Sequence, residues 1–234
     1  MKVGYGVTLE WSGRQLTKYN YSDDGLDEVY TYTYNADGIR TSKNVSGALH
    51  KYNLSGSTIV SEETPVYVIV YIYDELGSPI GMKYRKHTDA QNVFSHYFFE
   101  KNLQGDIVAI YNEKGTKIAS YTYDAWCVCV ATYTPGTSST DRIAAIINPI
   151  RYRGYYLDVE TDLYYLQSRY YNPNWGRFLN ADGVISGVGG NISGNNMFAY
   201  CFNNPISMID ANGHWPKWVS GTLNVVGGSL QMAA

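Results

Sequence analysis

Residues 148–183 read NPIRYRGYYLDVETDLYYLQSRYYNPNWGRFLNADG. Short aromatic runs alternate here with polar corners, and that alternation decides the fold. Arg151–Tyr156 and Leu163–Tyr171 predict two strands, because side chains two apart share one face of a strand and so set rings beside rings. Asp158–Asp162 forms the corner between them, and Asp162 is a residue type that tolerates left-handed backbone. Asn172-Pro173-Asn174-Trp175-Gly176 predicts a second turn, Arg177-Phe178-Leu179 a short strand, and Asn180–Gly183 its end. Beyond it lie a glycine-rich spacer, Ser186–Asn195, and a predicted helical turn over Asn196–Cys201, with Met197, Tyr200 and Cys201 on one side. Asn203-Asn204-Pro205 turns the chain once more, and Asp210-Ala211-Asn212-Gly213 closes the region.

Upstream, the same physics recurs as a phrase. Tyr30-Thr31-Tyr32-Thr33-Tyr34 runs into Asn35-Ala36-Asp37-Gly38, and Tyr71-Ile72-Tyr73 into Asp74-Glu75-Leu76-Gly77. Tyr97-Phe98-Phe99 precedes Leu103-Gln104-Gly105, Ile107–Tyr111 precedes Asn112-Glu113-Lys114-Gly115, and Tyr121-Thr122-Tyr123 precedes Asp124. An Asx followed by glycine supplies the positive φ of a tight corner. Each unit is then a hairpin that cannot bury its own aromatic face, so the units must pair into one longer sheet. The predicted class is all-β, with antiparallel hairpins in a curved sheet and one or two short helices near the C-terminus. One helix is expected from a cap at Ser139 or Thr140 through Ile147, with Ile143, Ile146 and Ile147 on its apolar side and Pro149 ending it.

Composition narrows the function. Tyrosine is the outlier at 24 residues, against 6 Phe and 5 Trp. Net charge is −3, from 18 Lys+Arg against 21 Asp+Glu, which carries no basic footprint for nucleic acid or for an anionic membrane surface. No apolar run has the length of a membrane span, and the first residues lack the apolar core of a signal peptide. Cys127 and Cys129 are spaced wrongly for CxxC redox chemistry and have no histidine cluster for zinc, so buried small hydrophobes on one side of a strand are expected. No cofactor or metal is implied. His50, His87, His96 and His214 lie in unrelated contexts, with no nucleophile elbow or phosphate loop.

The ordered motifs RYRGYY, LYYLQSRYYNPNWGRF and NNPISMIDANG resemble the core domain of the Rhs/YD-repeat family, and the Tyr-rich hairpins resemble its YD repeats. The resemblance implies YD repeats over 1–148, a core over 149–213, and the beginning of a variable segment over 214–234. It implies a β-shell that encloses or presents a C-terminal effector, within a bacterial polypeptide far longer than this chain and secreted or held at the cell surface. Its implied partners are that effector and the remaining YD repeats. The core also resembles an aspartyl-type self-cleaving element, with Asp182 and Asp210 as its carboxylates, Arg169 as the arginine of RYYDP, and the cut just after the second turn, at Gly213.

The sequence departs from the family at several positions. Cys127 and Asp162 replace turn glycines, Asn172 replaces the Asp of RYYDP, and Gly183 and Ala211 replace the prolines of Asp-Pro-x-Gly. From the residues alone, Asp182 and Asp210 read first as openers of Asx-turns. An alternative function is carbohydrate binding or adhesion to cell-wall glycan through the tyrosine face, weighed against rings that simply fill cross-strand contacts.

Overall fold

A computed structural model describes residues 6–23, 25–183, 196–210, 212–213 and 217–218. The Ser186–Asn195 spacer and the segment after Trp218 lie outside the described residues. The all-β expectation holds. Twelve strands follow one another in sequence order, each bonded to the next: β1 (Gly6–Ser12), β2 (Gln15–Asp23), β3 (Leu26–Tyr34), β4 (Arg40–Val45), β5 (Ala48–Ser55), β6 (Thr58–Glu63), β7 (Tyr67–Tyr73), β8 (Pro79–Lys86), β9 (Ser95–Lys101), β10 (Ile107–Asn112), β11 (Lys117–Tyr123) and β12 (Cys129–Tyr133). The chain divides into two compact units, one drawn from Met1–Phe98 and Tyr111–Thr116, the other from Phe99–Ile110 and Lys117–Ala234.

In the first unit the strands pair antiparallel with one buried face. Along β3, Tyr30 and Tyr32 are buried while Thr31 and Thr33 face outward. Tyr52, Tyr71, Tyr84 and Tyr97 are buried likewise. These repeating rings are packed inside, not presented for stacking on a sugar. Arg40 is fully buried with its guanidinium 5.4 Å from the Tyr32 ring and 5.3 Å from the Tyr52 ring, a cation held by aromatic faces. Glu62 is also buried, accepting from the Tyr71 hydroxyl at 3.0 Å and lying 2.5 Å from His50 Nδ1. At two corners the preceding tyrosine has a second use. Tyr34 Oη donates to Leu16 O at 2.7 Å and Tyr73 Oη to Ile59 O at 2.8 Å, each reaching back to the preceding strand.

Five corners, each opened by Asn or Asp, share one construction. At Asn35, Asp74 and Asn112 the side-chain Oδ1 accepts the N–H groups two and four residues ahead, at 2.8–3.1 Å. The residue's own backbone takes the N–H of the glycine three ahead, at 2.9–3.0 Å. In the second unit Asn102 repeats this, and so does Asp124 with Cys127 in the glycine place. Cys127 adopts φ 76, so the corner survives without glycine. It therefore sits in a corner, not on a strand, and does not share a strand face with Cys129.

The second unit carries the smaller sheet: β13 (Tyr156–Asp158), β14 (Leu163–Leu166), β15 (Arg169–Asn172) and β16 (Arg177–Phe178), all antiparallel. A short pair, β17 (Met208–Ile209) and β18 (Lys217–Trp218), follows. Two expected strands are cut. Tyr152–Gly154 is a 3-10 turn with Arg153 at φ 54, leaving only Tyr156–Asp158 as strand. Leu163–Tyr171 breaks at Gln167, φ 59, into two strands that fold back on each other. Asp162, at φ 56, closes its corner as expected.

The helix α1 (Ser139–Ile147) is present, but Ser138 caps it by accepting from Asp141 N at 3.1 Å. It buries Ala144 and Ala145 while Ile146 is 42% exposed. The small alanines let the helix backbone approach β11 closely enough for Tyr121 Oη to donate to Ala145 O at 3.2 Å. Asn196–Cys201 is not helical: Ala199 bridges to Arg177, and a 3-10 turn follows over Cys201–Asn203 with three positive φ values. Tyr152, Tyr155, Leu157, Tyr164, Leu166, Tyr171, Phe178, Tyr200 and both Cys127 and Cys201 make one buried cluster. Burial pushes the Cys201 thiol up to about 12 and raises Cys127 further.

Candidate functional site

Arg169 opens β15, immediately after the tight reversal that separates it from β14. That reversal is pinned from both sides: Ser168 N donates to Leu166 O at 2.6 Å, and Asn180 Nδ2 donates to Ser168 O at 3.2 Å while its Oδ1 accepts Tyr170 N at 3.1 Å. Asp182 follows β16, with its N–H donating to Met197 O at 3.0 Å. Asp210 follows β17, its N–H donating to Tyr155 Oη at 3.1 Å, and the same phenol accepts from Tyr200 Oη at 3.3 Å. Burial, then Cys201 and Asp210 nearby, raises the pKa of Tyr155 well above its ordinary value, so it stays a neutral phenol.

The three residues expected from sequence meet at one point. Arg169 Nη2 donates to Asp210 Oδ2 at 2.9 Å and lies 3.2 Å from Asp182 Oδ2. Its Nη1 donates to Met197 O at 3.2 Å, and its guanidinium carbon lies 3.6 Å from the centre of the Phe178 ring. Arg169 is 2% exposed and Asp210 is 0% exposed, whereas the Asp182 side chain keeps 13%. A guanidinium stays charged at any working pH, and its fork can hold several acceptors at once. With both carboxylates ionised, the trio carries one net negative charge.

A fourth participant is a peptide group. Arg169 Nε donates to Gly213 O, and Ser168 Oγ donates to the same oxygen at 2.9 Å and to Asn212 O at 2.7 Å. Gly213 has φ +72, and a Cβ built there would stand 2.7 Å from Leu166 O and 2.8 Å from Ser168 Oγ. Only glycine fits. Sequence reasoning missed Ser168 and Tyr155, whose partners lie 45 and 55 residues away, and Phe178, which stacks on Arg169 across a turn; the spacing of Gly213 from Asp210 was the one visible signal. Asn172 uses its Oδ1 within its own turn, accepting Trp175 N at 3.1 Å. Among the described residues no group of three or more His, Cys, Asp or Glu side chains is arranged to hold a metal, and no helix is long and apolar enough to cross a membrane.

No family model matches the chain. It is 34% identical over 233 residues to the tRNA nuclease WapA of Bacillus subtilis, covering 86% of this chain and 9% of that protein. Over 116 residues it is 32% identical to the toxin protein Tse5 of Pseudomonas aeruginosa, covering 50% of this chain and 8% of that one. A crystal structure of TcdB2-TccC3 with Cdc42 superposes with TM-score 0.67 at 22% identity, over 89% of this chain and 10% of that one. The Tc holotoxin pore of Photorhabdus luminescens, with a TccC3 mutation, gives TM-score 0.64 at 19% identity, over 97% of this chain and 10% of that one. At those identities the two structures show a shared β fold. The chain thus spans about a tenth of the length of the relatives it matches. WapA and Tse5 point to Rhs- and toxin-related relatives, of whose long polypeptides this chain matches one short stretch.

Proposed function

We propose that the chain is a structural segment of the β-shell of a longer, exported Rhs-type toxin polypeptide, where it encloses or presents a C-terminal effector. In this reading residues 1–148 are YD repeats, 149–213 the associated core and 214–234 the start of the variable segment. The core cuts its own backbone after Gly213, releasing the effector from the shell covalently. The effector and the remaining repeats are the partners.

The observation that carries the self-cleavage reading is the meeting of two carboxylates and the Gly213 carbonyl on one buried guanidinium. Of Asp182 and Asp210, one takes a proton from water as the water oxygen adds to the Gly213 carbonyl carbon. The other, which enters the reaction protonated so that the pair shares one proton, gives it to the nitrogen of His214 as the C–N bond breaks. The products are a Gly213 carboxyl group and a His214 amine. Arg169 holds both carboxylates and polarises the carbonyl.

The full 234-residue chain, followed by intact mass over time, should lose the 21 residues beyond Gly213 (234 − 213) and yield a new N-terminus at His214. Asp182→Asn and Asp210→Asn should stay whole. An unchanged mass in the wild type, matching that of Asp210→Asn, refutes self-cleavage for this chain.

A further inference from the structure

Deepening the self-cleavage reading, on which it rests, we propose that Ser168 is a catalytic residue: its Oγ and Arg169 Nε form a two-donor cradle for the negative charge that develops on Gly213 O. Water addition to the Gly213 carbonyl moves the C=O π pair onto that oxygen, and collapse of the adduct returns it as the C–N bond to His214 breaks. Donors already placed around such an oxygen lower the barrier because they need no reorganisation when charge appears. Ser168 Oγ stands 2.9 Å from Gly213 O, inside the range that such donors occupy.

The serine has one hydroxyl proton and two carbonyls to serve. It lies 2.7 Å from Asn212 O and 2.9 Å from Gly213 O, so the resting chain divides the bond between them. When charge grows on Gly213 O the bond shifts wholly to that side. The interaction is then stronger in the transition state than in the ground state, which is the condition for raising a rate. The hydroxyl is also preorganised, since the Ser168 backbone is held by Leu166 O on one side and Asn180 Nδ2 on the other. The same crowding sets specificity for the acyl-side residue. A Cβ at 213 would lie 2.8 Å from Ser168 Oγ and 2.7 Å from a backbone oxygen that cannot turn away.

The test uses the full chain and the first-order rate at which the His214 N-terminus appears. Ser168→Ala should cut about 100-fold more slowly, with the midpoint of the pH–rate profile unmoved because no proton-transfer group is lost. Ser168→Thr keeps the hydroxyl and should recover much of the rate. A second readout does not depend on cutting. Gly213-His214 is the only Gly-His pair in the sequence, so glycine labelled at the carbonyl carbon and histidine labelled at nitrogen give a single carbonyl resonance in the uncut Asp210→Asn chain. Adding Ser168→Ala should move that resonance upfield as the donor is lost. If the wild type cuts and Ser168→Ala cuts as fast, the role of Ser168 is overturned and self-cleavage stands. An unmoved resonance in a folded Ser168→Ala chain overturns it too. If the wild type never cuts, self-cleavage fails and this inference with it.

Discussion

Arg169→Met is the sharpest probe of the buried centre. Methionine keeps an apolar stem against Phe178 and deletes the donors to Asp210, Met197 O and Gly213 O together with the ion pair to Asp182. Asp210 is 0% exposed, so it cannot exchange the lost cation for water. Removing one partner of a buried ion pair typically costs about 3–5 kcal/mol, mostly from the charge left behind. The reverse deletion is milder. In Asp210→Asn the guanidinium still faces Asp182 at 3.2 Å, so the loss is one charged hydrogen bond, about 1.5–3 kcal/mol. The double variant removes both the cation and the buried anion, and should be more stable than Arg169→Met alone by at least about 1 kcal/mol. Urea unfolding followed by tryptophan fluorescence reads this, since Trp126 and Trp175 both lie in the second unit; chains are checked by mass so that intact molecules are compared. An Arg169→Met cost below about 1 kcal/mol, or strict additivity in the double variant, refutes the idea that the guanidinium neutralises a buried charge.

Three further outcomes follow from the packing. Gly81→Ala places a Cβ 2.4 Å from the backbone oxygen of Tyr97 and should destabilise by about 3 kcal/mol, whereas Gly115→Ala meets nothing within 4 Å and should cost only the about 1–2 kcal/mol of its positive φ; equal midpoints in urea would contradict this. Tyr73→Phe removes the donor to Ile59 O and should cost about 1 kcal/mol with an unchanged m-value, read by the same titration. In base, burial holds the Cys201 thiol at about 12 in the folded chain against an ordinary 9.0, so the unfolded chain loses its proton first. The contribution of that group should therefore be constant below pH 9 and fall between pH 9 and 12, at about 1.4 kcal/mol per unit. Cys201→Ala should flatten part of that slope.

What was legible in the sequence was local. Asx and glycine three apart gave the corners, because every bond of that corner lies within five residues, and ring alternation gave the buried face of β3. What was illegible was held from a distance. Arg153 bends at φ 54 because its N–H reaches Asp106 Oδ1 at 3.1 Å and its guanidinium reaches Gln104 O, Pro205 O and Ile206 O at 2.9–3.1 Å. Its neighbours in sequence carry no sign of this. Gln167 likewise reads as a mid-strand residue until its reversal is seen. Asp182, Asp210 and Arg169 could be named from motif resemblance, but their convergence and the grip of Ser168 on Gly213 depend on partners about 40 residues apart.

The self-sufficient corner has a consequence for how such chains grow. At Asn35 the corner engages its opening side chain within five residues, and the tyrosine before it reaches back to the preceding strand. Where a hairpin's corner is built this way, a further copy adds mainly contacts to its neighbours, and stability accrues nearly additively along the array. Cys127 shows how loosely each copy is policed: even the glycine can drift, provided the substitute finds an apolar berth.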